Sequence, residues 1–346
     1  MTAPGLLRAL RAIPKAELHL HLEGSIAPET VVRLAARHGV AVSPEDVAAR
    51  YRSTDFLGFL DSYKWVTSFL RLPDDYRLIA GELFRHLRKQ NVVYAEVTLS
   101  AGVMLRRNQN LAENFFALRE ASKEAAAEGL RVQWIFDTAR QFGPEAAVET
   151  ANWAARLAPE GVVAFGVGGD ELALSARELL PAFECARDAG LRLLAHAGEI
   201  GGPEIVREAV EVLGAERIGH GLGALHDPAL LDLLAERGLP LEICPTSNLR
   251  TGALARQLGG EGARLDRHPL KAFFDRGLRV TLSTDDPAMF ETDLVAEYGA
   301  AAEMGFSSAE LARLAEMSFA SAFLPEADRE SYLASFHERA AALGLL

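Results

Sequence analysis

His19 and His21 stand one residue apart in Ala16–Glu23, a run reading Ala-Glu-Leu-His-Leu-His-Leu-Glu. Side chains alternate across a strand, so both imidazoles share one face, and Leu18, Leu20 and Leu22 share the other. Two imidazoles side by side on an inner face need a common partner. A divalent metal is the simplest one. A third imidazole opens His196-Ala197-Gly198-Glu199, with Glu199 just beyond it to handle protons without ligating. Gly219-His220-Gly221 sets another histidine between two glycines that allow close backbone approach. Ser283-Thr284-Asp285-Asp286-Pro287 brings two adjacent carboxylates, which are costly without a cation or proton to share. His19, His21, His196 and Asp285 together offer three nitrogens and one oxygen. That set suits zinc better than iron or manganese. A water in the remaining position would become a nucleophile near neutral pH. Taken singly, each motif also has an ordinary reading, such as a satisfied histidine or an Asp-Pro turn. Their coincidence at strand ends is what points to a metal site.

The elements that must position these residues alternate along the chain. Strands are expected at Ala16–Glu23, Val92–Leu99, Arg131–Thr138, Val162–Gly169, Arg192–His196, Arg217–His220, Leu239–Cys244 and Arg279–Asp285. Helical patterns at Leu111–Glu128, Glu178–Ala189, Pro203–Leu213, Pro228–Arg237 and Pro269–Arg276 lie between them, three opening with proline at the first turn. Gly190, Gly238 and Gly277 follow helices, where a left-handed cap wants glycine. Eight strands alternating with helices predict an α/β fold, a parallel (β/α)8 TIM barrel, whose sites lie at the C-terminal strand ends. An open doubly wound sheet is the rival, but the GxGxxG turn it would want after the first strand is absent. About seventy residues separate the first two strands, far more than one crossover helix needs. This helical insertion holds Asp55–Leu70, with Phe56, Phe59, Leu60, Tyr63 and Trp65, and serves either as a lid or as a satellite apolar cluster. Ser307–Leu346 reads as C-terminal helices. With no repeat or linker, residues 1–346 are expected to form a single domain.

Composition narrows the function. The chain has 346 residues, 49% hydrophobic and 24% charged, as a soluble globular protein does. Lys and Arg total 36 against 48 Asp and Glu, a net charge of −12. Nucleic acid and anionic membranes are therefore poor partners, and a small molecule is the expected one. Neither a signal peptide nor a membrane span is expected, and a cytoplasmic location is the default. Cys185 and Cys244 cannot build a disulfide framework and are read as packing residues. His38, His86, His226, His268 and His337 are read as ordinary surface residues. The oligomeric state is left open.

The ordered set His19-Leu20-His21-Leu22-Glu23-Gly24-Ser25, Gly168-Gly169-Asp170-Glu171, His196-Ala197-Gly198-Glu199, Gly219-His220-Gly221, Glu242-Ile243-Cys244-Pro245 and Ser283-Thr284-Asp285-Asp286-Pro287 resembles the adenosine deaminase family of the metal-dependent amidohydrolases. The resemblance covers nearly the whole chain. It implies one zinc ion per chain on His19, His21, His196 and Asp285. It implies hydrolytic loss of ammonia from a 6-aminopurine, giving a 6-oxo product. Glu199 would protonate a ring nitrogen beside the amine-bearing carbon. His220 would orient the attacking water and take up its proton or stabilise its charge, and Asp286 would hydrogen-bond the same oxygen. The Gly169 N–H would hold a second ring nitrogen. The fourth strand ends in Gly168-Gly169 and lacks the lysine that bridges two metals, which favours a single ion. The HxE and PCxxC pattern of cytidine-type deaminases is missing.

Departures from the family pattern touch the substrate beyond the purine. Glu23 stands where adenosine deaminases usually carry an Asp that meets the ribose. Phe165-Gly166-Val167 replaces a more usual Asp-Leu. Val97-Thr98-Leu99-Ser100-Ala101 lacks Arg-Tyr-Ser-Pro. Substrate contacts are expected from Gly169, Glu23, Ser100, Phe59 and Tyr63. The substrates to weigh are adenosine, 5′-methylthioadenosine and 6-amino-6-deoxyfutalosine, a menaquinone-pathway nucleoside carrying a benzoate. Adenine deamination is the alternative. A non-catalytic metal-binding relative is a remote one, since it would be expected to have lost Glu199, His220 or Asp286.

Overall fold

Eight strands pair in parallel, each with the next in the chain: β1 Lys15–His21, β2 Val92–Leu99, β3 Arg131–Ala139, β4 Val162–Gly168, β5 Arg192–Ala197, β6 Arg217–His220, β7 Leu241–Ile243 and β8 Val280–Leu282. The computed structural model describes residues 3–52, 55–260 and 262–346. β8 returns to β1 through Asp285. The His21 N–H donates to the Asp285 carbonyl at 2.8 Å, and the Asp285 N–H donates to the His19 carbonyl at 3.0 Å. Helices cover the outside, so the sheet is the expected TIM barrel. The glycine stops hold: Gly190, Gly238 and Gly277 have φ of +77°, +59° and +87°.

Strand alternation decides what fills the barrel. Ile135, Ala164 and Leu194 on β3, β4 and β5 form a small apolar cluster with Phe323 packed against it. Asp137 on β3 and His196 on β5 lie two positions further along, so they turn the same way at the C-terminal ends. Elsewhere the interior is ionic. Buried Arg217 pairs with Glu96 at 2.5 Å and Glu242 at 2.6 Å, and its guanidinium lies 3.6 Å over the Phe323 ring. Removing the cation would leave two buried carboxylates without it, which costs about 3–5 kcal/mol. Arg217→Met should therefore lower the denaturant midpoint sharply. An unchanged midpoint would show that the triad does not hold the barrel.

The insertion after β1 folds as helices Pro28–Arg37, Pro44–Tyr51, Phe56–Thr67 and Pro73–Lys89. Asp55 caps the third by accepting from the Gly58 N–H. The C-terminal helices are Ser308–Ser321 and Glu326–Ala342. Among the described residues no helix is long and apolar enough to cross a membrane.

Several boundaries differ from expectation. Strand β1 ends at His21, and Glu23–Ser25 is a 3-10 turn. A Cβ on Gly24 would fall 1.7 Å from Asp286 Oδ1, so the turn depends on a bare glycine beside that carboxylate. Strands β7 and β8 are only three residues each. The backbone leaves the ladder before Asp285, which has φ of +64°. Pro269 caps its helix and does not begin it. Cys185 is only half-buried. His268 is not a surface residue: it is 5% exposed and lies behind the site.

Candidate active site

The predicted metal ligands converge. His19 on β1, His196 on β5, His220 at the end of β6 and Asp285 after β8 present ligand atoms within 4.8 Å of one another, and His21 forms a similar group with Asp285 and Asp286. His21 Nε2 lies 3.3 Å from both His196 Nε2 and Asp285 Oδ1, while His19 Nε2 is 3.4 Å from that same oxygen. All are buried. Gly219 makes the approach possible, since a Cβ there would stand 2.7 Å from His19 Cε1. His220 and Asp285 hold φ of +63° and +64°. Such strain in non-glycine residues clusters at functional sites.

Hydrogen bonds on the far side of each ring sort these histidines by tautomer. His19 Nδ1 meets the Glu242 carboxylate at 2.8 Å, and His196 Nδ1 meets the Val167 carbonyl at 3.1 Å. Both partners accept, so both Nδ1 atoms carry the proton and both Nε2 atoms offer a lone pair. His19 Nε2 has no hydrogen-bond partner. Lone pairs aimed at one point beside a carboxylate suit a divalent cation, and the donor set fits zinc.

His220 is different. The Leu270 N–H donates to His268 Nδ1 at 3.1 Å, so the His268 proton sits on Nε2 and meets Asn248 Oδ1 at 3.2 Å. That leaves the Asn248 amide N–H for His220 Nδ1, at 2.9 Å. Burial lowers the pKa of both His220 and His268 to about 3, so each ring is neutral with a single proton. His220 therefore carries its proton on Nε2, 3.6 Å from Glu199 Oε2, and presents a donor where the other two present lone pairs. Asn248 and His268 had no role in the sequence reading. The signal was a histidine before proline, indistinguishable by spacing from a helix start. His268→Leu frees the amide to turn and should lower kcat about tenfold with bound metal unchanged. Full activity would refute the relay.

The carboxylates divide by environment. Burial pushes Glu199 well above the ordinary carboxylate range, and the charges of Asp285 and Glu171 add to it. Asp286 rises for the same first reason, with Asp285 adjacent. Burial disfavours charge on Asp285 too, but the imidazoles of His19 and His21 against its carboxylate outweigh it and hold Asp285 well below the usual range. Ser247 Oγ also donates to Asp285 at 2.6 Å. Glu199 accepts from Thr251 Oγ1 at 3.2 Å. Buried Glu171 fixes its backbone by accepting from the N–H groups of Gly198, Glu199 and Gly201.

A cavity of about 710 Å³ opens over this cluster. His21, His196, Glu199, His220, Asp285, Asp286 and Gly169 line one part of its wall. Phe56, Phe59, Leu60 and Tyr63 of the insertion line another, while Trp65 packs on Phe69 under Arg50. The segment is thus a cover over the cavity and only in part a satellite cluster. Of the expected substrate contacts, Gly169, Ser100, Phe59 and Tyr63 line the cavity. Glu23 does not. It is buried behind them, accepting from the Tyr63 hydroxyl and the Ser100 N–H, each at 3.1 Å. Burial raises its pKa to about 7. Asp137, Arg106 and Phe142 line the cavity and were not foreseen. A lone acid at the end of an apolar strand was the available signal for Asp137.

The family model described as adenosine deaminase matches residues 14–338. The chain is 43% identical to an aminodeoxyfutalosine deaminase of Streptomyces coelicolor over 312 residues, 88% of this chain and 79% of the relative. It is 37% identical to an adenine deaminase of Sinorhizobium medicae over 330 residues, 94% of this chain and 98% of the relative. Among solved structures, an adenine deaminase of Arthrobacter aurescens superposes with a TM-score of 0.87 at 28% identity, covering 94% of this chain and 99% of that one. An amidohydrolase of Burkholderia ambifaria with bound zinc superposes at 0.89 and 26% identity, covering 99% and 96%.

Proposed function

The chain belongs to the adenosine deaminase family, and we propose that it removes the 6-amino group of a purine nucleoside by hydrolysis, with 6-amino-6-deoxyfutalosine and adenosine as the substrates to test first. The cavity carries the nucleoside reading. Its volume of about 710 Å³ is in the upper part of the ordinary range for small-molecule pockets, and its wall extends past the histidine cluster to Phe56, Arg106 and Phe142. Relatives named for the larger nucleoside and for adenine both match the chain. Room beside aromatic and cationic side chains favours the larger one.

Zinc held by His19, His21, His196 and Asp285 would supply Lewis acidity that lowers the pKa of a water at the site. The chain's own residues do the rest. Glu199, whose hold on its proton burial strengthens, donates to a ring nitrogen and makes the adjacent amine-bearing carbon more electrophilic. His220 directs its Nε2 proton at the incoming oxygen and steadies its charge. Asp286 hydrogen-bonds the same oxygen. The Gly169 N–H holds a second ring nitrogen, and the Phe56–Thr67 helix excludes water from above. Proton transfer to the amino group lets ammonia leave.

An ultraviolet assay on zinc-loaded protein with adenine, adenosine, 5′-methylthioadenosine and 6-amino-6-deoxyfutalosine tests this. Nucleoside turnover at least 100-fold above adenine is expected. Turnover of adenine alone would replace the nucleoside reading with a free-base one.

A further inference from the structure

We infer that Asp137 recognises the substrate's sugar by accepting hydrogen bonds from the hydroxyl groups of a ribose-type ring. This rests on the nucleoside reading above. The carboxylates lining the cavity are Asp61, Asp137, Glu199, Asp285 and Asp286. The last three belong to the metal and proton-transfer cluster, and Asp61 is exposed on the covering helix. Asp137 is the buried one left over, 7% exposed at the C-terminal end of β3. Glu23 cannot serve in its place, because Tyr63 and the Ser100 N–H each engage one of its oxygens outside the cavity wall.

The surroundings of Asp137 leave it acceptor capacity. Ser100 supplies a side-chain hydrogen bond. Among the described residues no lysine or arginine forms an ion pair with it. A buried carboxylate with lone pairs to spare gains from further donors, and a ligand is what enters here. Gly168 keeps one approach open: a Cβ there would stand 3.4 Å from Asp137 Oδ2 and 3.3 Å from His196 Nδ1. Placement agrees as well. The reacting carbon must sit at the histidine cluster, and Gly169 follows Gly168 on the strand next to β3. A purine bound between Glu199 and Gly169 therefore sends its nitrogen-linked substituent along the wall that Asp137, Thr138 and Ser100 line. Two adjacent hydroxyls match the two oxygens of a carboxylate.

Steady-state kinetics with adenosine, its 2′- and 3′-deoxy forms and 2′,3′-dideoxyadenosine test the assignment on the wild type and Asp137→Asn. The wild type should prefer adenosine to the dideoxynucleoside by about 10- to 100-fold in kcat/KM. Asp137→Asn should abolish that preference, mostly through KM on adenosine, and leave the dideoxynucleoside within about twofold of wild type. The retained dideoxynucleoside rate then also reports an intact fold. A wild type that turns over both equally overturns the assignment without any variant, and so does a variant whose preference is unchanged. If the wild type deaminates adenine and no nucleoside, the nucleoside reading and this assignment fall together. If it deaminates nucleosides while Asp137→Asn loses equally on both, the assignment alone falls.

Discussion

Glu199→Gln should retain its metal and lose about 10²–10⁴-fold in kcat, the usual contribution of a positioned acid or base. The substitution is nearly isosteric. Its side-chain carbonyl still accepts from Thr251 Oγ1, and its backbone N–H still donates to Glu171. Only the transferable proton is gone. Burial near Asp285 and Glu171 favours that proton by holding the carboxyl's pKa well above the ordinary carboxylate range. A protonated carboxyl and an amide are both uncharged, so the metal content should match wild type. Metal analysis beside single-turnover rates separates the possibilities. Normal turnover would reassign the acid, and loss of metal would make Glu199 a ligand.

Asp285→Asn should deplete the site of metal and lower activity at least 10³-fold in metal-limited buffer. Asp285 brings a carboxylate to a cluster of imidazoles, with its Oδ1 3.3–3.4 Å from two of them. Asn is the informative choice because it tolerates the left-handed backbone at φ +64°. Alanine there would add strain of about 1 kcal/mol and confuse instability with lost ligation. Excess zinc should restore part of the activity if ligation is the role. Unchanged metal content would contradict it. Dialysis of the wild type against a chelator should give the same loss, reversed by zinc.

Much of the site was legible in the chain. Period-two alternation alone sets His19 and His21 on one face of β1, and the strand count sets the barrel. A barrel in turn dictates that strand-terminal His196, His220 and Asp285 meet at one end. These are local consequences of side-chain alternation and strand order, which need no distant contact to be read.

Other features depend on contacts that no local pattern carries. Glu23 reads as a site residue by its place after the His-Leu-His-Leu run. The 3-10 turn forced by Gly24 against Asp286 rotates it behind Tyr63. Asp137 reads as a stray acid in an apolar strand until the barrel turns it into the cavity. His268 reads as a surface residue because nothing local announces its bond to Asn248, twenty positions away, and through it the tautomer of His220. The barrel, and the strand ends that carry His19, His21, His196 and Asp285, follow from residue spacing and backbone periodicity alone. Distant contacts settle which carboxylate lines the cavity, which histidine ring keeps its proton toward the site, and that the Phe56–Thr67 helix covers the cavity. Each of these depends on which distant side chain occupies the other end of a hydrogen bond or the space beside a glycine.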